Sequence, residues 1–571
     1  MKKNILIPIF LLSLLFSCTS PSVEENKPRS VKGNVVYGGT LRINKNRPMI
    51  SLYPPYITDL VSSHVSSQIY EGLVKFDSKD LSILPSLATK WEIDSSGTIY
   101  TFTLKKGVFF HDDQCFAQGK GRELKASDIK YTFELLSTPS PFNHSFNFTL
   151  KGKLKGADEF YESSVLESKP ELSGIKVIDD YTFQLFLNSP NSTFLYILAS
   201  PSMVILAEEA VKHYGHMLTI GTGPFMYSQN NNSGNLILTR NSMYHGYDVL
   251  GNQLPYLDSI EFSFIESKKE ELVAFQAKKV DLIIGLPSES IREVVENQIG
   301  DFKLDPPNYI LDRSLELVTQ FYEFNTTNSI FKDKRLRQAF SYAVDKNRIF
   351  NDVILGEAFG PGIHGISPPS FIGYDITAIK GYDFDPEKAR KLLSEAGYPN
   401  GKNFPSIKLS ISSGESKNTA VALEFSRQIK KVLNVDIELE ILPYSTLIEN
   451  SKYAKGDITR SAWIADYPSP ESFLSMFYGT GVPLSNDLPS FPNTTRFVNT
   501  KFDSLFQAGV NTVNQRESYN FFLRAEQLMI EEAPVMVLWY DEKYRLYQSN
   551  VRNFHPNPIN YWDFSQVYKD K

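Results

Sequence analysis

An α/β fold is what this chain predicts, on three observations. Strand-like and helix-like patterns alternate along it, the second half reads as βαβ-like units, and no repeat of solenoid length interrupts them. The chain has 571 residues; at about 150 residues per domain it holds three to four domain-equivalents, which excludes a single core. Hydrophobic residues at 42% and charged residues at 22% describe an ordinary globular protein.

The first element is a processing signal. Lys2 and Lys3 precede the mostly apolar run from Ile5 to Phe16, and Ser17-Cys18 follows. That pattern is a secretory signal peptide over residues 1–17, too short in its apolar part to span a bilayer. Leu15-Phe16-Ser17-Cys18 looks like a bacterial lipobox, so Cys18 is expected to be lipidated and to begin the mature chain. Residues 18–32 (rich in Ser, Pro, Glu, Asn and Lys) then read as a flexible tether.

Strands come next. Tyr37-Gly38-Gly39 turns into a strand through Thr40 to Ile43, and Ile99 to Leu104 alternates around Thr101 and Thr103. Tyr181, Phe183, Leu185 and Leu187 share one parity, and Ile260, Phe262 and Phe264 repeat the pattern. Helices follow. Asp333 is placed to cap a stripe of Leu336, Phe340, Ala343 and Val344. Asp385-Pro386 opens a second stripe, of Ala389, Leu392, Leu393 and Ala396, and Gly397 ends it. Ala422, Phe425, Ile429 and Val432 form a third, before a strand with Val435, Ile437, Leu439 and Ile441 on one face.

The composition removes several function classes. A formal charge of −6 argues against a nucleic-acid binder that relies on basic attraction. Two cysteines exclude a disulfide scaffold and a Cys-based zinc cluster. No nucleophile elbow, H-E-x-x-H helix or P-loop is present, so nothing specifies catalysis, a cofactor or a metal. Gly221-Thr222-Gly223-Pro224-Phe225 reads as a tight turn into a strand, and His111-Asp112-Asp113 as a polar loop.

Phrases spread nearly end to end carry a resemblance. They include Tyr70-Glu71-Gly72-Leu73-Val74, Ala126-Ser127-Asp128-Ile129-Lys130-Tyr131, Leu254-Pro255-Tyr256-Leu257-Asp258-Ser259-Ile260 and the helix Arg335-Leu336-Arg337-Gln338-Ala339-Phe340-Ser341-Tyr342-Ala343-Val344-Asp345. Together with Ala533-Pro534-Val535, they resemble the family 5 extracellular solute-binding proteins of ABC importers, which include oligopeptide and dipeptide binders. Arg337 and Asp345 are read as structural within the helix phrase. The resemblance implies a two-lobed periplasmic-binding-protein fold of type II, with discontinuous lobes and an additional inserted domain. Lobe I would comprise 33–76, 172–280 and 545–571, the inserted domain 77–171 and lobe II 281–544. It implies a monomeric, non-enzymatic protein of the bacterial cell envelope, anchored by Cys18 on the periplasmic side of the inner membrane or on the outer membrane. Its partners would be a short peptide and an ABC permease in the inner membrane. The same scaffold also serves sugars, nickel complexes, haem and murein peptides, and an adhesin or envelope enzyme is the alternative of a different class.

A peptide offers a cationic amine, an anionic carboxylate and main-chain donors and acceptors, so its receptor needs a carboxylate, a guanidinium and strand-like hydrogen bonds. The segment Asp457 to Tyr467 supplies them in Asp466, Arg460 and a strand pattern, with Trp463 between. Six apart, Arg460 and Asp466 would share a strand face, up to about 20 Å apart if fully extended. In the oligopeptide-binding members, an Asp matching Asp466 pairs with the peptide amine and an Arg matching Arg460 with the carboxylate of a short peptide, and the Trp at Trp463 is shared.

Overall fold

Two long antiparallel strands cross the molecule, and the other elements are hung from them. The computed structural model describes residues 31–570 except 47, 58, 164–170, 229–233, 287–302, 305–306 and 414–415. Residues 1–17, Cys18 and most of the tether therefore lie outside the described residues. In chain order the strands of the two larger sheets are β1 (Thr40–Asn44), β2 (Ala88–Ile93), β3 (Ile99–Leu104), β4 (Ile175–Asp179), β5 (Thr182–Phe186), β6 (Phe225–Ser228), β7 (Leu236–Arg240), β8 (Ser259–Ser263) and β9 (Leu282–Ile284). The crossing strand β10 (Tyr309–Phe324) precedes β11 (Gly360–Pro361), β12 (Ile407–Ser412), β13 (Ile437–Leu442) and β14 (Ile458–Ile464), and β15 (Val535–Gln548) is its crossing partner.

The large sheet runs β13-β12-β14-β10-β15-β9-β1-β8-β7-β6, with β11 pairing with β15 off this path. It is mixed: β1 is parallel to β8 and β12 is parallel to β13 and β14, whereas β10 and β15 are antiparallel. A smaller antiparallel sheet has the order β2-β3-β5-β4. It joins residues 88–104 to residues 175–186, and Phe102 stacks on Phe183 at 5.3 Å. Strand pairing therefore continues past residue 171, because β3 takes its second partner from β5. It also continues past 281, because β9 pairs with β1 at Ile43 and Leu282.

The expected helices form where their caps predict. The carboxylate of Asp333 accepts from the Arg335 amide at the start of Lys334–Tyr342, and Asp385 accepts from Lys388 at the start of Pro386–Glu395. The helix α1 (Ser416–Leu433) buries Val421, Ala422, Phe425 and Ile429. Arg337 is structural: its buried guanidinium donates to the carbonyls of Phe331, Lys332, Glu532 and Ala533. Asp345 caps Arg348.

His111 departs from the polar-loop expectation. It is buried against the glycine-rich turn, with Nε2 donating to the Gly223 carbonyl at 2.9 Å and Nδ1 accepting from the Gly221 amide at 3.3 Å. Burial lowers its pKa to about 4, so it serves as a neutral clasp between two loops.

Alternation along β10 and β15 divides the second half into two cores. Tyr322 and Phe324 join Phe340 and Phe425 on one face, whereas Phe321 joins Phe473, Phe522 and Tyr540 on the other. A third core unites β1, the small sheet and the tail residues Val551, Trp562, Phe564 and Val567. Between these cores the β10–β15 register shifts, from Leu315 opposite Glu542 to Thr319 opposite Tyr540.

Buried ions brace this irregularity. The Arg545 side chain is buried and donates to Asp312, Ser314, the Asn557 carbonyl and Asn560. The buried Glu316 carboxylate accepts from Lys543 at 2.9 Å and from Asn560 at 2.8 Å. Arg545→Ala should therefore cost about 3–5 kcal/mol of stability, since Asp312 and Glu316 lose their buried counter-charge. An unfolding free energy from denaturant titration within about 0.5 kcal/mol of wild type would refute the bracing role.

Candidate functional site

The central strand of the candidate site is β14. One edge pairs with β10 along its whole length, from Ile458 opposite Phe324 to Ile464 opposite Val318. The other edge meets β12 only at Ile458 and Thr459. Among the described residues, no strand covers the far edge of residues 460–464, which are half-buried as far as Trp463. An uncovered edge inside a large sheet is a template for an extended ligand backbone.

Arg460 stands at the start of this edge, opposite Tyr322. Its Nη2 donates to Gln320 Oε1 at 2.6 Å, and Gln320 Nε2 donates to Asp541 Oδ2 at 2.6 Å. The indole N–H of Trp539 satisfies the other Asp541 oxygen at 2.6 Å. Burial pushes the Asp541 carboxyl up, against the lowering by these two donors. With Ser416, Lys417 and Asn418 from the first turn of α1, these residues line a polar cavity of about 370 Å³. Lys417 is held 3.3 Å from Glu357.

Asp466 stands beyond the other end, but the strand does not carry it there. β14 stops at Ile464, and the Ala465 amide donates to the Leu317 carbonyl at 2.9 Å, inside the irregularity of β10. The Asp466 amide then donates to Ser472 Oγ at 3.0 Å, which also lies 3.4 Å from Trp463 Nε1. Strand parity therefore does not extend from Arg460 to Asp466. Trp463 points to the opposite face from Arg460, towards Phe491 at 6.3 Å, as an odd offset requires. The structure brings Trp463 and Asp466 together on Ser472 and leaves Arg460 in a separate polar cavity at the other end of the edge.

The electrostatics of Asp466 suit a waiting counter-ion. Its side chain is solvent-accessible and makes no ion pair among the described residues. Surrounding protein nevertheless pushes its pKa up by desolvation, against a smaller lowering by the Ser472 hydroxyl. The adjacent residue meets the first half of the chain: Tyr467 stacks on Tyr196 at 6.4 Å, Gln515 donates to Tyr196 Oη at 2.9 Å, and the Ser192 amide donates to the Val510 carbonyl at 2.8 Å.

Gln320, Trp539 and Asp541 were not found from the sequence. They reach Arg460 only through the pairing of β10, β14 and β15, and no local pattern marks them. A larger cavity of about 760 Å³ lies within residues 49–227, but its acids are engaged: Asp112 pairs with Lys120 and Asp113 accepts from Tyr214. No group of three or more His, Cys, Asp or Glu residues placed to hold a metal occurs among the described residues. No helix among them is long and apolar enough to cross a membrane.

Comparison with known proteins adds three kinds of likeness. The model of the middle region of family 5 bacterial extracellular solute-binding proteins matches residues 82–483. Heme-binding protein A of Haemophilus influenzae is 26% identical, covering 90% of each chain. The dipeptide-binding protein DppE of Bacillus subtilis is 24% identical, covering 97% of this chain and 96% of its own. Among solved structures, the periplasmic binding protein DppA of Helicobacter pylori in complex with the peptide STSA superposes with a TM-score of 0.70 at 24% identity. That superposition covers 94% of this chain and 99% of the other, and it shows the two-lobed periplasmic-binding-protein fold.

The raised carboxyl of Asp466 sets a stability test. The folded state holds this proton more tightly than the unfolded chain, so ionisation at neutral pH costs stability, and the cost disappears as pH falls below the ordinary value of 3.8. Asp466→Asn should raise the melting temperature of the ligand-free protein at pH 7, with the gain shrinking to nothing by about pH 3. A loss of stability at pH 7 would contradict this reading of the carboxylate.

Proposed function

Because the chain belongs to family 5 of the bacterial extracellular solute-binding proteins, we propose that it is the non-enzymatic substrate-binding component of an ABC importer and that it captures short peptides between two lobes for delivery to a membrane permease. The observation that carries the peptide reading is the uncovered edge of β14 with a guanidinium at one end and an accessible, ion-pair-free carboxylate past the other. A peptide laid along residues 460–464 adds a strand. Its amine pairs with Asp466 and its carboxylate with Arg460, so it runs antiparallel to β14. Trp463, anchored on Ser472 from the opposite face, holds the Asp466 turn in place and borders the space beside it. A dipeptide-binding relative and a fold neighbour that holds a peptide agree with this reading.

Closure belongs to the same proposal. The lobes divide where β10 and β15 cross, with lobe I taking 33–76, 172–280 and 545–571, the inserted domain 77–171 and lobe II 281–544. The pairing of β9 with β1 favours moving the border at 281 to about 284, and that of β3 with β5 favours moving the border at 171 to about 186. Within this proposal the signal peptide over 1–17 is removed, lipid on Cys18 tethers the chain to the cell envelope, and the protein acts as a monomer. The haem-binding relative supports a second reading, in which the same cleft takes haem instead of peptide.

Isothermal titration with trialanine and pentaalanine, the longer able to reach both ends at about 3.3 Å per residue, and with their N-acetylated forms separates these readings. Wild type should bind the free-amine peptide, and Asp466→Ala should weaken it more than about tenfold, equivalent to at least about 1.4 kcal/mol. Acetylated peptide should bind both proteins equally weakly. Unchanged affinity in a folded Asp466→Ala protein would remove the amine-pairing role.

A further inference from the structure

The described chain begins fastened to a loop with an apolar tip. The Lys32 amide donates to Asn252 Oδ1 at 2.8 Å, and Asn252 Nδ2 donates back to the Lys32 carbonyl at 3.0 Å. The loop between β7 and β8 is stiff at this point. Asp248 accepts from the Leu250 and Asn252 amides, from Asn252 Nδ2 and from Tyr256 Oη, and Tyr247 pairs with Gln253 in an isolated bridge. Yet Val249 is 101% exposed, and Met243, Tyr247 and Leu250 are 64, 62 and 48% exposed. Four large apolar side chains are thus exposed on one hydrogen-bonded loop, a grouping that marks a contact surface. A Cβ on Gly251 would lie 3.6 Å from Lys32 Nζ, so a cation sits beside the tip, and Lys27 and Arg29 precede it in sequence.

We propose that this tip, Met243 with Tyr247 to Leu250, rests on the surface of the membrane that holds the lipid anchor. The inference relies on lipidation of Cys18 from the preceding section. Val31 lies 13 residues after Cys18; a chain of that length spans at most about 45 Å. The tip to which that tether is fastened is thus never beyond that reach of the lipid. Aliphatic side chains with an interfacial tyrosine and the adjoining Lys32 match an anionic bilayer surface.

The topology gives this contact a consequence. Residues 33–39 and the tip loop enter β1 and β8 at one end, since Thr40 lies opposite Ser259. The other end of β1 leads to the ligand site: Lys45 contacts His64 at 2.6 Å, His64 contacts the Asn560 carbonyl at 2.8 Å, Asn560 donates to Glu316, and neighbouring Leu317 holds Ala465. A protein resting on the tip therefore puts the Thr40 end of β1 against the bilayer and the Lys45 end away from it.

Coupling the mature chain through Cys18 to a maleimide phospholipid tests the surface whether or not cells lipidate that residue. Cys115→Ser leaves one thiol, and the vesicles are phosphatidylethanolamine with phosphatidylglycerol. Amide hydrogen exchange within 243–251 should slow by roughly threefold or more on vesicles, relative to the same chain coupled to a soluble maleimide. Val249→Asp with Leu250→Asp should erase that protection while leaving trialanine affinity and melting temperature unchanged. Equal exchange on and off vesicles would overturn the proposal. So would protection that appears only in permease-containing membranes, since that assigns the tip to a protein partner. The mass of the N-terminal peptide from native cells reports lipidation separately, so failure of that reading is distinguishable from failure of this one.

Discussion

The irregular crossing of β10 and β15 is the constraint on which the rest of the structure depends. A strand of 16 residues is about three times the usual length, and this one pairs with β15 on both halves while its far half also pairs with β14 and serves two cores. The two halves cannot share one flat register, and the shift between Leu315 and Thr319 absorbs the difference. Leu317, inside that shift, donates its amide to Pro558 and accepts from Ala465. One residue thus fastens the tail to the crossing and sets the point at which β14 turns off towards Asp466. Moving the shift by one residue would exchange the faces of both cores and re-aim the site.

Around this crossing, satisfied and unsatisfied charges are segregated. Arg337 and Arg545 are buried with carbonyls or acids on every side, and the buried Glu526 accepts from Ser367 and Tyr374. Such groups specify the fold, and removing one partner is costly because the other remains buried. At the edge of β14 the pattern reverses. Among the described residues, Arg460 makes one side-chain hydrogen bond, to a neutral amide, and Asp466 carries desolvation without a counter-charge. A binding protein needs this imbalance, because a ligand gains selectivity from groups the empty protein leaves poorly compensated. Tyr467 against Tyr196 couples the same place to contact between the two halves, so occupation of the Asp466 end and approach of the lobes are mechanically adjacent.

What was legible in the sequence was local. Asp333 and Asp385 announced their helices because a cap and its amide lie within three residues, and the parity of Phe183 and Leu185 announced β5 because one face is buried. The crossing strands gave no such signal. From Leu317 onward β10 is buried on both faces, so it has no alternation to read. Arg460 and Asp466 stood out as residue types at a spacing, yet their presumed common face assumed a strand that ends two residues early. The partners of Arg460 were hidden for a simpler reason: Gln320 is 140 residues away and reaches Asp541 across 221 more. His111 looked like a solvated loop because its partners, the backbone of Gly221 and Gly223, carry no side chain for a pattern to show.

The central claim is that the space between Arg460 and Asp466 takes a peptide by its two ends and its backbone. The most direct measurement is to purify the soluble chain from Thr19 onward, release its bound molecules under denaturing conditions and identify them by mass spectrometry. The account expects a mixed set of short peptides with free amino termini, diverse in side chain because the grip is on common features. Haem or a single non-peptide solute as the sole occupant would contradict it.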